Sequence, residues 1–407
     1  MLGLRCYKRR IQILFQIILA RILKKILIFM FHQRSRGQCS LKQMQIRIDL
    51  IKEGIKMDGK ILYLSEKNLI DNNLLTMTKV MGSIEKMFEL MYQQDYVMGG
   101  MNQNSHGLRM YVEKGIQKNL YIAMPGHLGG LYNTTGIKFH GPNRYLPGKK
   151  NETNHLVLLY DGDTGEPKGV ISANVLTTIR TAAVSAFATK HLAISEPQEI
   201  GIVGPGKINT EYVKWILENY SSIKRIKVKG RSEYGVEKFK NKFKGIQIDS
   251  YEDIEYVIRE SDIISINTGF TFENVTDMPF VREKWIKEGA LFICPSFIKF
   301  TDSFLQNKAN LIVDNYQMYE SYAQELGEPV YHKLSYLGNL LVDLVKKGKI
   351  DRKQIYNVAD IAYGGKKINK QMATVFSSGG MSIEDIAVGN DVLNEAIQMG
   401  VGTYLEF

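Results

Sequence analysis

From Glu199 onward the chain alternates short apolar strands with amphipathic helices, and a glycine turn opens the series. Strands are predicted at Ile200–Val203, Ile226–Val228, Ile246–Ile248, Ile263–Ile266, Leu291–Cys294 and Leu311–Val313, with helices over 207–219, 233–243 and 251–260. Antiparallel strands can be joined by two residues, but parallel strands need a crossover of a dozen or more, usually a helix. The alternation therefore predicts a parallel sheet covered by helices, the α/β class of the Rossmann type.

Gly204-Pro205-Gly206 sits between the first of these strands and its helix. In that context the first glycine permits the tight turn and the second lets backbone approach a pyrophosphate. The amides of Lys207, Ile208 and Asn209 would then face the phosphate charge at the helix amino terminus. A purely structural turn is the competing reading. Asn209 stands where a glycine or alanine usually allows close helix–strand packing, which predicts either a wider helix or a side chain used at the site. After the second strand comes Lys229-Gly230-Arg231-Ser232, with no acid to bond ribose hydroxyls. Arg231 and Ser232 suit a 2′-phosphate, so of NAD and NADP the latter is favoured; a solvated loop arginine is the alternative.

The net charge of +11 does not imply nucleic acid, because its distribution is lopsided. Residues 1–56 carry 13 Lys and Arg against Asp49 and Glu53, leaving 40 basic and 40 acidic residues beyond. A nucleic-acid footprint would be a basic patch on the folded body. Ile11–Phe31 is apolar, but Arg21, Lys24 and Lys25 interrupt it where each costs ~2.5–3.5 kcal/mol in a bilayer, so no firm membrane association is expected. Lys52-Glu53-Gly54 shortly before Met57 fits a purine-rich ribosome-binding site, which predicts Met57 as initiator and 1–56 as an extension outside the working protein. Cys6, Cys39 and Cys294 have no paired spacing, so neither disulfides nor zinc are indicated and a reducing cytoplasm fits. The histidines show no metal-ligand spacing, and no metal is expected.

Upstream of the alternating region, Met81, Ile84, Met87, Phe88 and Met91 have helical spacing and read as core. Strands are predicted at Ile61–Leu64, Leu108–Val112, Leu120–Met124, Thr135–Phe139 and Leu156–Tyr160, punctuated by Gly, Pro and Asn. That is α+β text with antiparallel character. Ser172–Ala193 reads as a helix leaving it, and a long helix near Ile383–Met399 closes the chain.

One run combines Asp161-Gly-Asp-Thr-Gly-Glu-Pro167 with Thr177-Thr-Ile-Arg-Thr-Ala-Ala183 ahead of the glycine turn. With Met124-Pro125, Gly136-Ile137-Lys138 and Ser377 to Asp385, it resembles the ornithine cyclodeaminase and mu-crystallin family. Within the family it looks most like the siderophore-pathway N-(2-amino-2-carboxyethyl)-glutamate dehydrogenases, which share Met124 to Gly130. The resemblance implies a homodimer in which an α+β substrate-binding and dimerisation domain, 57–185 plus 336–407, faces a Rossmann domain over 186–335. It implies that Arg109, Lys138 and Arg180 bind the carboxylate of a small amino or imino acid. That assignment makes chemical sense, since the acid must be fixed while hydrogen moves at the adjacent carbon. Lys138 and Arg180 are the catalytic candidates; solvated strand charges and a helix-surface arginine are the bland alternatives.

One departure matters. Family cyclodeaminases carry a catalytic Asp where Gly289-Ala290-Leu291-Phe292-Ile293-Cys294-Pro295-Ser296-Phe297-Ile298 places Ile298, and Asp302 lies four residues on. This argues for an NAD(P)-dependent oxidoreductase on the C–N bond of an amino or imino acid. The alternatives are an ornithine-type cyclodeaminase with bound NAD and a non-catalytic NADP and small-ligand binding protein. Proton carriers for the oxidoreductase are Lys138, His127 and His140.

Overall fold

Alternating burial along nearly continuous apolar strands builds the first sheet. In β1 (Lys60–Leu64) and β6 (His155–Asp161), Leu62, Leu64, Val157 and Leu159 are fully buried while their neighbours are not. The other strands are β2 (Tyr96–Met98), β3 (Leu108–Lys114), β4 (Gln117–Leu128), β5 (Thr134–Arg144), β7 (Pro167–Ser172) and the carboxyl-terminal β16 (Thr403–Glu406). Their order is β16-β1-β7-β6-β5-β4-β2, with β3 on β4; only β1 and β7 run parallel. The computed structural model describes residues 59–114, 117–144, 153–268 and 278–407. The expectations for residues 1–56 and for Met57 lie outside the described residues.

Helix α1 (Glu66–Asp71) follows β1, and α2 (Met77–Tyr92) buries the expected face of Met81, Ile84, Met87, Phe88 and Met91. Helix α3 (Asn174–Leu192) leaves the sheet and is buried along most of its length. Its hydroxyls cost little there, because Thr181, Ser185 and Thr189 donate to the carbonyl four residues back, at 2.7, 3.2 and 2.8 Å. Phe187 of α3 stacks on Phe88 of α2, ring centroids 4.4 Å apart.

The second sheet is parallel throughout. Its strands are β8 (Glu199–Val203), β9 (Arg225–Lys229), β10 (Gln247–Ser250), β11 (Ile263–Ile266), β12 (Leu291–Cys294), β13 (Ala309–Val313), β14 (Ile355–Asn357) and β15 (Ala373–Ser377). The order is β10-β9-β8-β11-β12-β15-β13-β14. Crossovers include α4 (Lys207–Asn219), α5 (Glu233–Lys240), α6 (Ile254–Ile258) and α7 (Asp302–Asn307). Helix α6 is shorter than 251–260 because Asp253 caps it, accepting from the Glu255 amide at 2.8 Å. Past α8 (Tyr316–Leu326) and α9 (Leu337–Lys346), β14, α10 (Val358–Ala362) and β15 carry this sheet well beyond residue 335, where the expected boundary falls. Only then does α11 (Ser382–Met399) return to pack on β4, β5 and β6, and Lys60–Phe407 form one compact unit.

Strand order reverses between β8 and β11, and there the glycine turn lies. Gly204 has φ of +87°, and a Cβ on it would sit 2.1 Å from the Asn267 carbonyl oxygen, so only glycine fits. Gly206 opens α4 without a side-chain cap, and a Cβ there would meet nothing within 4 Å. Space for a ligand therefore lies over the unspent amides of the first turn.

Asn209 resolves the third position of the fingerprint. It is buried, donates from Nδ2 to the Gly204 carbonyl at 2.9 Å, and accepts from the Ser265 hydroxyl at 2.7 Å. Where a small residue would merely allow close packing, this side chain fastens the turn to β11. Replacing Asn209 by Ala strands the buried Ser265 hydroxyl, and urea denaturation should register a loss of about 1–3 kcal/mol. An unchanged midpoint would mean that the turn holds its shape without this crosslink.

Candidate active site

Strand β5, helix α3 and helix α11 each contribute charge to one buried cluster. Lys138 Nζ lies 3.0 and 3.1 Å from the two carboxylate oxygens of Asp385, and Arg180 Nε lies 3.2 Å from Oδ1 of the same residue. Arg180 Nη1 reaches Glu384 Oε2 at 2.5 Å. All four side chains are buried, Glu384 and Asp385 completely. Burial works against ionising Asp385, but Arg180 and Lys138 outweigh it and hold that carboxyl below the usual carboxylate range. Burial lowers Lys138 to about 8, with Arg180 adding to the effect and Asp385 opposing it. Burial pushes Glu384 up to about 8 against the pull of Arg180, and the charges of Asp314 and Asp385 add to the rise.

Arg180 and Glu384 open onto a cavity of about 140 Å³, lined also by Thr181, Pro295, Ser378 and Gly380. Pro295 and Ser378 directly follow β12 and β15, so the cavity lies at the carboxyl ends of the parallel strands, where open α/β sheets bind ligands. Asp314, just after β13, accepts from the amides of Gly379 and Gly380 at 2.7 and 3.3 Å and pins that turn. Burial pushes Asp314 up to about 6, opposed by these hydrogen bonds. Gly380 has φ of +81°, and a Cβ there would lie 3.3 Å from Arg180 Nη1, so its small size gives the guanidinium room.

Arg109 of β3 is half-buried, its guanidinium carbon 4.7 Å from the centre of the Tyr322 ring. It has no carboxylate partner among the described residues, unlike Lys138 and Arg180. Buried His106 is held well below the ordinary imidazole value by burial, then by Arg109, His140, Lys138 and Arg180. One imidazole thus senses all three cations picked out in the sequence.

The expected proton carriers fare unequally. Burial and then Lys138 hold His140 down at about 3 and its neighbour His155, tilted against it with ring centroids 5.2 Å apart, at about 4, which keeps both neutral near pH 7. His127 lies on the rim of β4, its Nδ1 2.9 Å from the Thr135 hydroxyl. Lys138 is held by Asp385 and is not among the cavity walls.

Asp302, offered as a stand-in for the missing carboxylate, heads α7 and pairs with Lys349 at 2.9 Å, both about half exposed. Ile298 is fully buried, its carbonyl accepting from the Tyr331 hydroxyl at 3.1 Å. Glu384, Asp385 and Asp314 went unassigned in the sequence. Glu384 and Asp385 sit in the first turn of a helix, where acids are ordinary dipole partners, and nothing local signals that this turn is buried.

At the dinucleotide turn, the Gly204 amide donates to the Lys229 carbonyl at 2.9 Å, and a Cβ on Gly230 would lie 3.1 Å from the Pro205 ring. The loop after β9 therefore lies against the turn. Ser232 caps α5, accepting from the Gly235 amide at 3.3 Å, and Arg231 is exposed. Among the described residues no three His, Cys, Asp or Glu side chains are grouped to hold a metal, and no helix is long and apolar enough to cross a membrane.

Comparison with known proteins identifies the relatives of this chain. The chain is 24% identical over 306 residues to N-((2S)-2-amino-2-carboxyethyl)-L-glutamate dehydrogenase of Staphylococcus aureus, covering 73% of this chain and 85% of that one. It is 30% identical over 308 residues to a Delta(1)-pyrroline-2-carboxylate reductase of Bacillus thuringiensis subsp. konkukian, covering 72% and 86%. Among solved structures, Delta(1)-pyrroline-2-carboxylate reductase of Thermococcus litoralis, in complex with NADH and L-proline, matches with a TM-score of 0.67 and 25% identity over 84% of this chain and 99% of that one. Residues 72–399 match the family model, and the chain belongs to the ornithine cyclodeaminase/mu-crystallin family.

Proposed function

We propose that this protein is a nicotinamide-dinucleotide-dependent oxidoreductase acting on the C–N bond of a small amino or imino acid. The observation that carries the reading is the pairing of an intact glycine turn with an apolar side chain, Ile298, where cyclodeaminases of the family bear a carboxylate. Ring closure of a diamine needs an acid–base group at that point; reduction of an imine needs a fixed carboxylate, a proton and a hydrogen donor. The dinucleotide supplies or takes hydrogen with its electron pair at the substrate carbon. The relatives named as a dehydrogenase and as pyrroline-2-carboxylate reductases support this class of chemistry.

Gly204, Pro205 and Gly206 with the amides of Lys207, Ile208 and Asn209 would hold the pyrophosphate. Arg231 is exposed, has no carboxylate partner among the described residues and lies in the loop against the turn, which supports NADP over NAD. NADH in the Thermococcus litoralis relative makes NAD the alternative. At the substrate end, Lys138 and Arg180 already have carboxylate partners. Arg109 is the cation without one, so it becomes the principal anchor for the substrate carboxylate.

The outer face of the first sheet supports a homodimer. Leu108, Phe139 and Leu156 fall in one cross-strand row through Ala123, and all three are substantially exposed, as is Met110 beside them. A contiguous apolar sheet face of this kind marks an interface, and a second copy of the same chain would cover it symmetrically.

Three measurements test these readings. Incubation with reduced dinucleotide and Δ1-pyrroline-2-carboxylate should consume the reduced-nicotinamide absorbance, at lower KM for NADPH than for NADH; no consumption there, with ornithine converted to proline and ammonia at constant absorbance, would indicate a cyclodeaminase instead. Arg109→Gln should lower kcat/KM roughly 10- to 150-fold through loss of a charge-assisted contact of about 1.5–3 kcal/mol. Sedimentation should find a dimer that Phe139→Lys disperses, and a monomeric wild type would remove the interface.

A further inference from the structure

One wall residue of the cavity has a carboxyl oxygen with no hydrogen-bond partner. Glu384 is completely buried; Arg180 takes its Oε2, and its Oε1 has no hydrogen-bond partner. Glu384 is also a wall of the cavity that Arg180 lines. An unpaired buried carboxyl oxygen costs the desolvation of that atom, about 1–3 kcal/mol. Proteins retain such a group where a ligand completes it.

Charges face Glu384 from four elements. Arg180 comes from α3, Asp385 from its own helix, Asp314 from the end of β13 and Lys138 from β5. Asp385 shares Arg180 and takes Lys138 entirely, so the positive charge left for Glu384 is one end of one guanidinium. Two neighbouring acids and burial oppose its ionisation. Burial drives it up to about 8, so near neutrality it is a carboxylic acid: Oε2 accepts from Arg180 and Oε1 carries hydrogen.

We propose that Glu384 is the proton carrier of the C–N reaction, its Oε1 giving a proton to the substrate nitrogen in reduction and taking it back in oxidation. This rests on the oxidoreductase reading above. Imine reduction needs two electrons and one hydrogen at carbon, which come from the reduced nicotinamide dinucleotide as co-reactant, and one proton at nitrogen. The Glu384 O–H bond breaks as the N–H bond forms, and Arg180 stabilises the carboxylate left behind. A solvent proton restores the acid once the product leaves. Lys138 is less suited, because Asp385 holds its ammonium outside the cavity wall.

The test compares wild type with Glu384→Gln, which keeps the volume and the acceptor for Arg180 but has no transferable proton. With Δ1-pyrroline-2-carboxylate and saturating dinucleotide, kcat for reduction should fall about 10²–10⁴-fold with little change in KM. Reduction uses the protonated form, so wild-type kcat should decline as pH rises through about 8, and the variant should lose that decline. Independently of turnover, infrared spectra of the protein without cofactor or substrate should contain a buried carboxylic-acid C=O band at pH 7. That band should fade above pH 8 and be missing from Glu384→Gln. A variant that keeps wild-type kcat and pH profile, or a wild type with no such band, overturns the assignment while leaving the oxidoreductase reading intact. A wild type that turns over no amino or imino acid overturns that reading and the proton carrier with it.

Discussion

Asp385 accepts from both Lys138 and Arg180, and the architecture of the site follows from that sharing. Three segments far apart in sequence meet at one carboxylate: the middle of β5, the helix that leaves the first sheet, and the helix that returns to it. Buried ion pairs are a poor source of net stability, since desolvating each charge offsets most of the attraction. Removing one partner, however, leaves a charge stranded in the interior at about 3–5 kcal/mol. The cluster thus acts as a registry device. It fixes α11 against β5 and α3, and with it the Ser378–Gly380 turn and the cavity wall.

Much of this organisation was legible in the sequence, and its errors have physical causes. The parallel sheet announced itself through alternation, and β11 and β12 are wholly buried runs, as is β8 past Glu199, which leaves little ambiguity. Strand β14 escapes sequence reading because Ile355–Asn357 is only three residues long, and β15 because five apolar or small residues, Ala373–Ser377, carry no alternation that separates a buried strand from a helical turn. The boundary at residue 335 moved for that reason. Pairing in a sheet is a long-range fact, and β15 completes its ladder with β12 some eighty positions earlier in the chain.

The three cations read from the sequence were visible as residue types, whereas their partners were not. Lysine and arginine in apolar strand or helix text stand out. A Glu-Asp pair in the first turn of a helix does not, because the helix dipole accounts for it at the surface equally well. Asn209 illustrates the converse. Its departure from the usual small residue was plain, but only the distances to Gly204 and Ser265 distinguish a crosslink from a loosened helix.

Ile298 and Glu384 are best understood together. An acid beside the reacting carbon is needed somewhere if a proton is to move at nitrogen, and the loop after β12 supplies only a buried isoleucine. The described cavity wall has its one carboxyl on α11 instead, with an oxygen unspent. A carboxylate near β12 would stay ionised only with a cation to itself, and the two buried cations nearby are already taken by Asp385 and Glu384. Placing the acid on α11 does the opposite: burial above all, with Asp314 and Asp385 adding to it, raises the group against the pull of Arg180. A diamine-cyclising site and an imine-reducing site can therefore share one fold and one set of cations.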